Sequence, residues 1–179
     1  MPIRPRQLPQ PLGLDKAHEQ FSTCPNAKSL YRARTVRVMD RTSALQLAER
    51  IYAQAVREAT TTDVAGIVKR IHEKLAQALS PMIGDAGFAA MMARTIQMAR
   101  AEYPRLDGAV GFSVEPFPEN LASWLEGQEP ALIQAVGVAL LARFLVLLST
   151  LIGTELALRL LSPTWPDAIA YAIDSAEKL

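Results

Sequence analysis

Ala-Leu-Ile-Gln-Ala-Val-Gly-Val-Ala-Leu-Leu-Ala-Arg-Phe-Leu-Val-Leu-Leu-Ser-Thr-Leu-Ile-Gly, residues 131–153, is the stretch on whose reading the fold turns. About 20 apolar residues suffice to cross a bilayer, so length alone admits a membrane span. Arg143 opposes it. A guanidinium at the bilayer centre costs about 2.5–3.5 kcal/mol, against a gain of about 0.3–0.6 kcal/mol for each Leu, Ile, Val or Phe. With Gln134 and Gly137 added, the sum falls near zero and hydropathy does not decide. The flanks do: Glu126 and Glu129 precede the segment and Glu155 follows it, with no basic flank. The expectation is a buried central helix of a soluble protein, with a membrane anchor over 131–153 as the alternative. A buried Arg143 then needs either an acid, the nearest in sequence being Glu126 and Glu155, or a route for its guanidinium to reach water.

Outward from this segment, the other helical patterns each carry a polar face, as helices packing around a central one in water should. Ala44, Leu47, Ala48, Ile51 and Ala55 predict a helix over 43–59, capped by Thr42 or Ser43. Val64, Ile67, Val68, Ile71, Leu75 and Leu79 predict one over 63–79, with a cap from Thr60-Thr61-Thr62 and a break at Ser80-Pro81. Phe88, Met91, Met92, Thr95, Ile96 and Ala99 share a face of a helix over 86–102, capped by Asp85. A long irregular connection over 104–118 follows. A short helix over 118–126, and two more after Gly153 and Pro166, complete the pattern. The fold expected is all-α: a single-domain bundle of six to seven helices around the apolar one, occupying 42–179.

Composition agrees. Hydrophobic residues make up 50% of the chain and aromatics only 6%, with Ala and Leu dominant, a balance that favours helix over sheet. The net charge of +1 conceals an asymmetry: residues 1–41 carry +5 and the remaining 138 carry −4. Five prolines among residues 1–28 and no helical period predict a basic, poorly ordered N-terminal arm over 1–41. Those prolines also interrupt any continuous apolar run, so no secretory signal is expected. Met39, just ahead of the first helical pattern, is a candidate translation start, which intact mass would test. Cys24 is alone, so no intrachain disulfide or thiolate cage is expected, which suits the cytoplasm.

Catalytic signatures are missing. The chain has no Walker loop, no Gly-x-Gly-x-x-Gly and no Gly-x-Ser-x-Gly. Of two imidazoles, His18 lies in the arm, and His72, beside Glu73, is expected to be a solvated surface residue. No Glu-x-x-His pair or zinc spacing occurs, so neither cofactor nor metal is expected. Glu115 and Glu119 flank prolines in the long connection and read as solvated charge. Two places could meet a partner. Arg32, Arg34, Arg37 and Arg41 with Tyr31 form a basic patch, although nucleic-acid binding is disfavoured by the near-neutral chain. Met98 lies off the apolar stripe of its helix, whose methionines suit an adaptable surface.

One internal echo stands out. Met82-Ile83-Gly84-Asp85 and Leu151-Ile152-Gly153-Thr154 both read apolar–Ile–Gly–polar ahead of an apolar helix. The stretches 82–104 and 151–166 that these open resemble a pattern in small uncharacterised bacterial helical proteins. That resemblance covers about residues 42–170, implies a helical fold and a bacterial origin, and carries no activity, ligand or catalytic residue. The function expected is a non-enzymatic adaptor or regulatory protein acting through protein–protein contacts, with a second copy of the chain among its expected partners. The alternatives are a membrane-associated protein held at the inner membrane by 131–153, and an enzyme whose polar residues converge only in three dimensions.

Overall fold

The computed structural model describes residues 38–60, 62–104, 106 and 118–177. The protein is all-α: six helices and no strand among the described residues. They are α1 (Arg41–Glu58), α2 (Val64–Ala99), α3 (Glu119–Glu126), α4 (Pro130–Ile152), α5 (Thr154–Leu161) and α6 (Pro166–Glu177).

Aspartates, not threonines or serines, open the first two helices. The Asp40 carboxylate accepts from the backbone N–H of Thr42 (2.9 Å) and Ser43 (3.0 Å) and from the Ser43 hydroxyl (2.6 Å). These bonds, the Ser43 hydroxyl foremost, hold Asp40 below its usual carboxylate range. Asp63 caps α2 through the N–H groups of Ala65 and Gly66, both at 3.1 Å. A carboxylate outcompetes a hydroxyl here because it meets two orphan donors and opposes the positive end of the helix dipole.

Pro81 does not break α2. Helical backbone runs through it to Ile83, and the chain turns at Gly84 (φ 74°, ψ 161°). Gly153, between α4 and α5, has nearly the same dihedrals (φ 84°, ψ 151°). This region is open essentially to glycine alone. The two segments that share a sequence pattern therefore share a backbone corner, reached by a glycine with positive φ and extended ψ and not by the left-handed helical conformation.

α4 packs chiefly against α2 and α1, and also against α5. Val136, Leu140, Leu141, Phe144, Leu145 and Leu148 are all at most 1% exposed. Phe144 meets Phe88 of α2 with ring centroids 5.3 Å apart. Gly137 lets α2 come close: a β-carbon there would stand 2.5 Å from a methyl of Val68. At the far end Trp165, wholly buried, anchors the approach to α6, and Arg50 of α1 stacks on Tyr171 of α6 with 3.2 Å from guanidinium carbon to ring centroid.

His72 is the main correction to the sequence reading. It is 1% exposed, not solvated. Its Nδ1 lies 2.8 Å from the Val68 carbonyl oxygen, and desolvation lowers its pKa from 6.5. His72 stands four residues after Val68 and four before Ala76, and both are buried. The buried arc of α2 is wider than one stripe, because the helix packs against α1, α3, α4 and α5. Gln54 is likewise buried; its amide Nε2 donates to Glu58 at 2.8 Å.

Candidate functional site

The residue that most needed explaining in the sequence, Arg143, leads to the site. Its side chain is 12% exposed and its Nη2 lies 2.6 Å from Glu102 Oε1. Its Nη1 donates to the Ala139 carbonyl, one turn back on α4, at 3.1 Å. Neither Glu126 nor Glu155 supplies the acid. Glu102 does, from just beyond the end of α2, where the backbone N–H of Glu102 still bonds to the Ala99 carbonyl. Arg41, the first residue of α1, donates to the same Glu102 oxygen at 2.8 Å. One carboxylate thus ties α1, α2 and α4. The Arg143 and then the Arg41 guanidinium hold Glu102 below its usual carboxylate range.

This bridge closes one end of a groove of about 900 Å³. The floor is a face of α4 made of small side chains, Ala131, Ala135, Val138, Ala139 and Ala142. Leu45 and Glu49 of α1 form one wall, and Met98 and Tyr103 the other. Leu45 is 42% and Met98 36% exposed, so both rims are apolar. A second depression, of about 760 Å³, continues along α1 past Ala53 and Val56, with Gln134 common to both.

Glu102 is kept ionised by two guanidiniums, so it neither donates a proton near neutrality nor accepts one readily. His72, buried and neutral, is not among the groove residues. Among the described residues no group of three or more His, Cys, Asp or Glu is placed to hold a metal ion. Tyr52, at the second depression, has its phenol pKa raised by burial.

Of the residues singled out in the sequence, Met98 and Arg143 come together in this groove, and Arg41 joins them. Arg32, Arg34, Arg37, Tyr31, His18, Cys24 and Glu115 lie outside the described residues; Glu119 opens α3 and is exposed. Sequence reading missed Glu102 and Glu49, because no local pattern says which distant groups an acid will meet. One signal was available for Glu102: it is the acid closest to the end of the Met98 helix, and it precedes the Tyr-Pro that stops it. No family model matches this chain, and neither the curated proteins nor the solved structures contain a match to it.

Proposed function

We propose that the chain is a non-enzymatic adaptor or regulatory protein of the cytoplasm, built as a bundle wrapped around α4, that works through contacts with a partner protein at the α1–α4 groove. The supporting observation is the apolar rim formed by Leu45 and Met98 over the small-residue floor of α4. Small side chains let a partner approach closely, and the exposed Leu and Met supply adaptable apolar contact. A photo-crosslinking residue at Met98, in the full chain in its native cells, tests this. The expected result is one discrete adduct that Leu45→Arg abolishes. An adduct of twice the 19.6 kDa chain mass identifies a second copy as the partner. Crosslinking unaffected by Leu45→Arg, or none at all, refutes the reading.

A second reading has its own observation. α4 is 23 residues long with a mean hydropathy of 2.3 over its most apolar window, enough to cross a membrane by length and composition. Against it, 61% of that window is buried by the protein itself. Alkaline carbonate washing of native membranes separates the two: release of the chain supports the bundle, and retention in the pellet supports the anchor.

A further inference from the structure

We propose that the floor of the groove binds an amphipathic monocarboxylate, head group at Arg41 and apolar tail along α4. This rests on the reading of the groove as a binding surface and adds a ligand to it. The volume of about 900 Å³ lies within the range of small-molecule sites, roughly 300–1,000 Å³, and such sites are apolar with a few polar groups converging at one place. Here the apolar part is Ala135, Val138, Ala139 and Ala142, and the polar part is the Arg41–Glu102–Arg143 bridge.

Charge decides the head group. Two guanidiniums share one carboxylate oxygen, so the bridge keeps one positive charge in excess. Arg143, at 12% exposure, gives Nη2 to Glu102 and Nη1 to the Ala139 carbonyl and offers little surface to a ligand. Arg41 is 80% exposed and, among the described residues, commits only Nη2, to Glu102. A guanidinium carries five N–H donors in a planar fork, so Arg41 retains enough to grip a second carboxylate in bidentate fashion. One more monoanion neutralises the cluster; a dianion would over-compensate it.

Charge also sets the direction. Glu49 lines the same groove two turns further along α1, about 12 Å from Arg41 by helical rise. An anion is attracted at the Arg41 end and repelled at the Glu49 end. The tail has about 18 Å of α4 to follow from Arg143 back to Ala131. A chain with a carboxylate at one end fits this field, and one with carboxylates at both ends does not.

Isothermal titration of the full-length protein with dodecanoate, dodecylammonium and dodecanedioate, all below their aggregation concentrations, tests the assignment. Dodecanoate is expected to bind saturably with one site, and the other two roughly tenfold or more weaker, a difference of about 1.4 kcal/mol. Arg41→Gln is expected to weaken dodecanoate by a similar factor, and Glu49→Gln to bring dodecanedioate up to dodecanoate. Both residues are exposed, so neither change should unfold the chain, which circular dichroism checks. No saturable dodecanoate binding, equal binding of the ammonium probe, or an unchanged affinity in Arg41→Gln would each overturn the proposal. None of these outcomes bears on the partner crosslink at Met98, so the two readings fail separately.

Discussion

At the scale of single residues, three titrating groups give the molecule a readable response to acid. Burial holds His72 neutral, with its folded-state pKa below the ordinary 6.5. Below about pH 6.5 the unfolded chain therefore takes up a proton that the folded chain refuses. The stability concerned is complete above that pH and falls as pH drops toward the folded-state pKa, with a slope of at most about 1.4 kcal/mol per pH unit. Urea midpoints at pH 7.5 and 5.5 should show the loss in the wild type, and His72→Leu should flatten it. Glu102 acts in a lower window. Its two guanidiniums depress its pKa from 4.5, so its contribution is present above that value and is lost as pH falls below it. Glu58, held down by Lys74 and then Gln54, follows the same course. Removing the acid altogether, as in Glu102→Gln, leaves Arg143 largely buried without its partner. Breaking a fully buried pair costs about 3–5 kcal/mol; with Glu102 half exposed to screening solvent, about 1–2 kcal/mol is expected, read as a lower urea midpoint at pH 7.

At the scale of helices, the corners at Gly84 and Gly153 carry the most testable consequence. Both hold dihedrals that a residue with a β-carbon avoids. At Gly84 no atom lies within 4 Å of an added β-carbon, so the cost of Gly84→Ala is backbone strain alone. A loss of about 1–3 kcal/mol is expected there and in Gly153→Ala, measured by chemical denaturation. Gly137→Ala probes something different, the approach of α2 to α4. The new methyl would overlap Val68, which is itself 1% exposed and has nowhere to go. Overpacking of this kind costs about 1–3 kcal/mol and should shift both helices apart.

For the molecule as a whole, α4 packs against three of the other five helices. It touches α1, α2 and α5 and presents Phe144 to Phe88 in the core. Phe144→Ala should cost about 3–5 kcal/mol, enough to unfold a domain of ordinary stability. The readout is the far-ultraviolet circular dichroism melt, in which α1 and α2 should lose structure together with α4. The groove belongs to this scale too, since its floor and two walls come from α4, α1 and the end of α2, segments far apart in sequence that only packing brings together.

Periodicity and composition alone determined that this chain is helical, because a 3.6-residue repeat of Ala, Leu, Ile and Met declares itself within any single segment. They also located the apolar helix, and the echo around Gly84 and Gly153 pointed to two corners whose backbones turn out alike. Arg143 announced that it needed a partner, since one cation in a run of hydrocarbon is conspicuous. That the partner is Glu102, that Arg41 shares it, that His72 is buried and that Met98 rims a groove were decided only by tertiary structure. The reason is physical: burial and ion pairing are set by which helices pack against a given face. A local pattern shows a helix's own apolar stripe but not how many neighbours will widen it, nor which distant acid the packing will deliver.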